Sequence, residues 1–249
     1  MSTKLISKVN RCLKYIQFSL LPGTCILCQK PSKRDEDLCQ ACEVLLPVIP
    51  APCESCALPL ALNAYDGQLC GNCVVNPPPC KYIVAAFAYA EPLRQLIGSF
   101  KYHGKLAYGR ALSQQLLKRL LVFYEQREMP GLLIPMPLHP ERLHHRGFNQ
   151  AVEIGQFLSH QLGIPLERHL CIRHRNTPRQ EGLNVKARAR NLHNAFSWQG
   201  NNAALPDTVA IIDDVVTTMA STHALASLLR QNNIKEVHVW SLARACKKR

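Results

Sequence analysis

The sequence is poor in acidic and aromatic residues and has no long apolar run. It has 17 aspartates and glutamates against 30 lysines and arginines, so the formal net charge is +13. This imbalance indicates a polyanionic partner, such as nucleic acid, a phosphorylated metabolite or an anionic membrane surface. No apolar run reaches about 18 residues, which argues against a membrane-spanning helix. Aromatic residues make up only 6% of the chain and would give single-stranded nucleic acid few stacking platforms.

The first twenty residues also lack the apolar core of a secretory signal, because Lys8, Arg11 and Lys14 interrupt it. These cations fall on one helical face and the apolar residues on another, which predicts an N-terminal helix over residues 1–22. Two roles for this helix stay open. Packing on its own protein is the favoured one, and lying on a membrane surface is the other.

Twelve cysteines are present, and eight of them form four C-x-x-C pairs. Without an export signal these pairs are not expected to form disulfides, and in a reducing compartment they are thiolate metal ligands. The predicted ligands are Cys25, Cys28, Cys39, Cys42, Cys53, Cys56, Cys70 and Cys73. The single cysteines, Cys12, Cys80, Cys171 and Cys246, are expected to be small buried apolar residues.

The spacing of the pairs is typical of zinc knuckles. The first four cysteines read C-x2-C-x10-C-x2-C and the next four read C-x2-C-x13-C-x2-C. Two thiolate pairs can surround one tetrahedral Zn²⁺ at about 2.3 Å, and the metal then stabilises polar loops that cannot build a core. We therefore predict a double zinc-ribbon domain over residues 23–78 with two structural zinc ions. Sequential pairing is the default, and interleaved pairing of the knuckles stays open.

The composition changes after three consecutive prolines at 77–79, where a stiff connector is expected. Beyond it, β-like segments alternate with segments of helical periodicity. This alternation predicts a second domain over residues 79–249, with a mostly parallel α/β sheet covered by helices on both faces.

Within this domain, residues 209–222 read VAIIDDVVTTMAST. An apolar strand that ends in acids could hold the magnesium of a P-loop nucleoside triphosphatase, but that site also requires G-x-x-x-x-G-K-[ST]. The nearest match, GSFKYHGKL at 98–106, has one residue too many between its glycines and Leu106 where a hydroxyl is needed. The P-loop interpretation therefore fails.

A ribose 5-phosphate site explains the same segment better. Asp213 and Asp214, at the end of the strand, can accept hydrogen bonds from the two cis hydroxyls of a ribose. The small hydroxylated residues that follow precede a helix, where backbone amides and the helix dipole stabilise a phosphate. Such a position also agrees with ligand binding at the switch point of an open α/β sheet.

Together with IPMPLHPERLHHRGFNQ at 134–150 and the four C-x-x-C pairs, this segment resembles the ComF/GntX family, the competence protein F-like proteins. The resemblance implies a cytoplasmic protein with an N-terminal zinc ribbon and a type I phosphoribosyltransferase-like α/β domain. It implies binding of 5-phosphoribosyl 1-diphosphate (PRPP), or a related sugar phosphate, with Mg²⁺. It also implies a role in natural competence and the use of external DNA, with single-stranded DNA and competence-machinery proteins at the inner membrane as partners.

The resemblance also implies site residues. Asp213 and Asp214 would hold the ribose hydroxyls, while Arg142 and Arg146 would pair with the departing diphosphate. The phosphate loop would comprise Val215, Val216, Thr217, Thr218, Met219, Ala220, Ser221 and Thr222. Pro137 and Leu138 would form the diphosphate loop, and the other matching positions are Lys101, Asn149, Gln150, Gln180, Arg188 and Asn191. Arg168, Arg173 and Arg190 are assigned instead to a solvated basic face.

One position departs from the family pattern T-T-G-x-T, because Met219 replaces its glycine. A methionine would be tolerated at this position if the loop keeps right-handed helical angles, and phosphate affinity or turnover is expected to be reduced. Two functions therefore stay open. One is phosphoribosyl transfer, and the other is a non-catalytic DNA-binding or adaptor protein of the DNA-uptake machinery.

Overall fold

The computed structural model of the protein describes residues 23–61, 67–174, 195–200 and 205–246. The predicted N-terminal helix over residues 1–22 lies outside this part of the chain. So do three predicted site residues, Gln180, Arg188 and Asn191.

The N-terminal cysteine-rich region is built from turns and two short helices, α1 (Gln40–Glu43) and α2 (Gly71–Val75). Each helix begins directly after a cysteine that precedes it in extended backbone. Isolated β-bridges join Thr24 to Pro31 and Pro52 to Pro59. This region has few strand pairs of its own, as expected of a ribbon that metal ligation stabilises.

In the described part of the chain, four strands form the central sheet: β1 (Tyr82–Ala88), β2 (Leu132–Pro135), β5 (Thr208–Val216) and β6 (Glu236–Arg244). Their order is β1-β6-β5-β2, and every neighbouring pair is parallel. A separate antiparallel pair joins β3 (Cys171–Arg173) to β4 (Phe196–Trp198). Strands β5 and β6 are apolar and buried along most of their length, which is typical of strands covered on both faces. The predicted mostly parallel α/β sheet is confirmed.

Within the described residues, five helices surround the sheet: α3 (Leu93–His103), α4 (Leu106–Phe123), α5 (Pro140–Arg146), α6 (Gln150–Leu162) and α7 (Ala220–Gln231). Helices α3, α5 and α6 each end at a glycine with positive φ, which is a common helix stop. Buried residues of α3, α4 and α6 share one apolar core with Trp240 of β6. Residues of α7 belong to the other core, so the sheet is covered on both faces.

The cysteine-rich region packs against these cores. Cys25, Leu38 and Leu46 are buried within the same core as helix α4. Lys118 of α4 also forms ion pairs at 2.9 Å with Glu36 and Glu43. Among the described residues, no helix has both the length and the apolarity needed to cross a membrane.

Candidate functional site

The eight predicted metal ligands come together in two sets of four. In each set, the sulfur atoms all lie within 4.8 Å of one another. The sets are sequential along the chain: Cys25, Cys28, Cys39 and Cys42 form the first, and Cys53, Cys56, Cys70 and Cys73 form the second. The structure thus favours sequential over interleaved pairing.

The sulfur geometry fits tetrahedral zinc. The Sγ atoms of Cys28 and Cys39 are 3.8 Å apart, and those of Cys56 and Cys70 are 3.7 Å apart. A tetrahedron with Zn–S bonds of about 2.3 Å has an edge of about 3.8 Å. The backbone amide of Cys70 also donates to the Cys53 sulfur at 3.2 Å, as expected around a thiolate. Both sets are consistent with closed structural zinc sites.

A separate cleft opens where β2 leaves the sheet. Pro135, the last residue of β2, pairs with Ile212 of β5, and the amide of Met136 donates to the Ile212 carbonyl at 2.8 Å. Strand β5 continues beyond this point without β2 beside it. Asp213 and Asp214 are the next two residues of β5, so the carboxylates lie where the sheet edge opens.

The cleft has a volume of about 190 Å³ and brings together ten of the twenty predicted catalytic and substrate-binding residues. It is lined by Lys101, Met136, Pro137, Leu138, Arg142, Arg146, Asn149, Gln150, Ala151, Arg173, Asp213, Asp214 and Ser221. Residues from α3, the β2–α5 turn, α5, α6, β3, β5 and α7 therefore meet at one end of the sheet.

The two carboxylates have different environments. Asp214 is buried, with 8% of its surface exposed, and its Oδ2 pairs with Lys101 Nζ at 2.9 Å. Burial raises the pKa of Asp213 to about 7, and the neighbouring Asp214 carboxylate adds to this increase. Lys101 opposes the shift. Asp213 is therefore a carboxyl group that gains and loses its proton near neutral pH.

The N-terminus of α6 forms a second wall of the cleft. The Asn149 side chain caps this helix by accepting from the amide of Ala151 at 2.9 Å, and it donates to the Met136 carbonyl at 3.1 Å. Gln150 is 1% exposed and accepts from Arg146 Nη1 at 2.9 Å, which fixes the orientation of its amide. Its Nε2 has no hydrogen-bond partner within the described parts of the chain. A buried donor at a helix N-terminus is well placed for an anion.

Three arginines line the same cleft, and one of them was not expected there. The Arg146 guanidinium lies 5.4 Å from the centre of the Tyr102 ring, and that of Arg173 lies 5.5 Å from the centre of the Phe196 ring. Burial lowers the pKa of Arg173, as does the nearby Arg142. The assignment of Arg173 to a solvated face is wrong. Its position depends on the pairing of β3 with β4, for which the sequence offered no signal.

The predicted phosphate loop is shorter than expected. Val215 and Val216 belong to strand β5, and Ala220, Ser221 and Thr222 belong to helix α7, so only residues 217–219 connect the two elements. The pairing of β5 with β6 continues to Val216, so β5 is two residues longer than a strand that ends at Asp214.

The hydroxyl groups of this segment are not equivalent. Ser221 lines the cleft, whereas Thr217 and Thr218 are exposed. Thr222 is buried, and its hydroxyl donates to the Met219 carbonyl at 2.8 Å. Met219 has φ 65° and ψ 1°, so it is left-handed and does not adopt the right-handed angles under which a methionine would be tolerated there.

Comparison with known proteins agrees with both parts of the chain. The double zinc ribbon domain family matches residues 16–74. Competence protein F of Haemophilus influenzae is 36% identical over 211 residues, which cover 84% of this chain and 90% of that protein. DNA utilization protein YhgH of Escherichia coli K12 is 33% identical over 233 residues, which cover 90% of this chain and 98% of that protein. Competence protein ComFC of Bacillus subtilis is 26% identical over 221 residues, covering 86% of each chain.

Proposed function

The chain belongs to the family of competence protein F and the DNA utilization proteins, and from this premise we propose that its cleft binds PRPP or a related sugar phosphate. We further propose that it acts in natural competence and the use of external DNA, as the names of these relatives suggest. The binding would take place in the cytoplasm, on the inner side of the membrane through which DNA enters.

The observation that carries the proposal is the meeting of acids and anion-binding groups in one cleft. Asp213 and Asp214 would accept hydrogen bonds from the ribose hydroxyls. Ser221 and the N-terminal turn of α7 would hold the 5-phosphate, since helix amides and the helix dipole favour a phosphate dianion. A ligand with hydroxyl groups in the middle and phosphates at its ends satisfies all of these groups at once.

The opposite wall suits the diphosphate. Arg142 and Arg146 supply guanidinium groups, and Gln150 adds the amide donor that has no partner among the described residues. Guanidinium groups pair with phosphate oxygens through two parallel hydrogen bonds, which also orient the ligand. The same groups would stabilise the charge that develops if diphosphate departs from the sugar.

Magnesium would arrive as the complex with the diphosphate. Asp213 and Asp214 are the oxygen donors of the cleft that suit this hard cation. Bound there, Mg²⁺ would supply further positive charge to a departing diphosphate. Lys101 already offsets part of the carboxylate charge by pairing with Asp214.

Binding of single-stranded DNA without sugar transfer is the second candidate. The net charge of +13 favours contact with a nucleic-acid backbone. A phosphorylated sugar at a DNA end shares its phosphate with PRPP but lacks the 2′-hydroxyl and the 1-diphosphate, so it would use only the phosphate contacts of the cleft.

Calorimetric titration with PRPP tests the proposal, with and without Mg²⁺. The double variant Asp213→Asn/Asp214→Asn should bind at least about tenfold more weakly, since both acceptors for the ribose hydroxyls lose their charge. Asp207→Asn is the matched control, because Asp207 lies outside the cleft and forms an exposed ion pair with Lys235 at 2.8 Å. Absence of PRPP binding by the unaltered protein would refute the sugar-phosphate site.

A second measurement separates transfer from binding alone. Release of diphosphate in the presence of nitrogenous bases or DNA ends would establish transfer. If single-stranded DNA binds in a salt-dependent way and the double variant retains that binding, DNA contacts a surface other than the carboxylates.

A further inference from the structure

The second cysteine set lies against the loop that would bind the phosphate. Met219 packs in one apolar cluster with Cys53, Cys56 and Cys73, and it also contacts the core under helix α7. The first cysteine set belongs to a different core, which it shares with α3 and α4 and which does not include Met219. Only the second set therefore contacts the loop through this side chain.

A buried arginine makes a second connection between the same two parts. Arg244, the last residue of β6, is 3% exposed. Its Nε donates to the Cys56 carbonyl at 2.7 Å. Its Nη1 donates to the Val216 carbonyl at 3.1 Å and also to that of Thr217. One guanidinium group thus bridges a cysteine knuckle and the first residues of the loop.

The charge of Arg244 would gain a partner if the second cysteine set held zinc. The described residues provide no carboxylate within ion-pair distance of Arg244, although it is buried among backbone carbonyls. A zinc ion held by four thiolates carries a net negative charge, so the loaded second set would compensate this buried cation. The first set has its own charged surroundings, where Arg34 pairs with Glu36 and Glu43.

We propose that the second zinc ribbon holds the phosphate loop in its binding conformation, with Met219 and Arg244 as the positioning residues. Left-handed backbone is unfavourable for a residue other than glycine, so the surroundings must hold Met219 in place. The packed cysteine knuckle and the guanidinium bridge supply that support. Any effect on PRPP affinity rests on the proposed function. The anchoring of the loop by the second cysteine set does not depend on it.

Two matched cysteine substitutions test the anchoring. Cys39 and Cys70 are each half-buried, and each directly precedes a short helix. Their φ angles are also alike, at −73° for Cys39 and −74° for Cys70. Cys39→Ser and Cys70→Ser should therefore cause similar local damage at the first and second sets. Hydrogen–deuterium exchange of the full chain would follow two amides: His223, which donates to Met219, and Ala245, which donates to Val216, both at 2.8 Å.

Cys70→Ser should speed exchange at these amides by about tenfold or more, and Cys39→Ser should leave them unchanged. Equal exchange in the two variants, or no change in either, would overturn the proposal. PRPP affinity should weaken in Cys70→Ser alone. If the unaltered protein does not bind PRPP, the proposed function fails while the exchange result still decides the anchoring.

Glycine substitutions give a test that leaves all eight cysteines in place. Met219 and Asn233 have φ 65° and 67°, and they lie at opposite ends of helix α7. Met219→Gly should accelerate zinc transfer from the second set to a colorimetric chelator by about threefold or more, since it removes packing from the knuckle. Asn233→Gly should not change zinc transfer. Identical zinc release from Met219→Gly and the unaltered protein would contradict the role of Met219.

Discussion

Asp213 and Asp214 are neighbours in sequence but differ in electrostatic environment. Asp214 forms an ion pair with Lys101 at 2.9 Å, whereas burial and the charge of Asp214 raise the pKa of Asp213 to about 7. An ionised carboxylate that is buried beside another negative charge destabilises the fold. Such destabilising groups are common in binding sites.

The stability of the protein should therefore depend on the charge of Asp213. The usual pKa of aspartate is about 3.9, so between about pH 4 and pH 7 the folded chain holds a proton that the unfolded chain has lost. Stability contributed by this group consequently falls as pH rises through that window and is lowest above pH 7. Asp213→Asn should raise the free energy of unfolding at pH 8 by on the order of 2–4 kcal/mol.

Urea unfolding at pH 5 and pH 8 measures this effect, and the gain should be smaller at pH 5. The exposed Asp207, changed to Asn, serves as the control, because its ion pair with Lys235 lies on the surface. A gain from Asp213→Asn that is equal at both pH values would show that charge is not the cause.

At the level of elements, the short strand β2 creates the cleft. It pairs with β5 over four residues and ends opposite Ile212. The next residues of β5 therefore have no β2 residue beside them, and the cleft opens there. The chain then passes through helix α5 and returns to the same place at the start of α6. Asn149 fixes this return by hydrogen bonds to Met136 and Ala151.

Removal of that cap should weaken both the fold and the site. Asn149→Ala leaves the amide of Ala151 and the carbonyl of Met136 without their partner, which should cost about 1–2 kcal/mol of unfolding free energy. Because α6 then shifts at its N-terminus, PRPP affinity should also fall. Thermal and chemical unfolding, together with calorimetry, measure the two effects.

Gln156→Ala on the exposed face of α6 is the control for this variant, since alanine preserves helix propensity there. Loss of stability without any change in PRPP affinity would show that the start of α6 has no part in ligand binding.

At the level of the whole molecule, the cysteine-rich region contacts the sheet domain beside each of its two cysteine sets. The first set lies in the core of α4 and is flanked by the ion pairs of Lys118. Glu54, beside the second set, pairs with Arg127 at 2.9 Å, and Arg244 reaches Cys56 from the sheet. Surface ion pairs stabilise little by themselves, so the buried apolar contacts contribute most of the attachment.

Metal analysis of the whole protein should give about two zinc ions per chain, because each set has four thiolates and no open position. Cys39→Ser and Cys70→Ser should each retain about one zinc ion. A strong chelator should lower the melting temperature of the unaltered protein. A single zinc ion per unaltered chain, with the fold intact, would contradict two structural sites.

Sequence alone predicted the features that depend on local spacing and periodicity. The C-x-x-C spacings indicated the metal sets, and alternating strands and helices indicated the parallel sheet. Asp213 and Asp214 stood out because they follow directly on an apolar strand. In each case the relevant residues are neighbours in the chain, so their relation is visible without a structure.

Tertiary structure alone decided how distant segments combine. It placed Arg173 in the cleft, paired Lys101 with Asp214, and brought Met219 and Arg244 to the second cysteine set. The left-handed backbone of Met219 also depends on these surroundings, since a methionine has no intrinsic preference for it. Such contacts join residues far apart in sequence, and their energies arise only once the sheet, helices and ribbon have packed together.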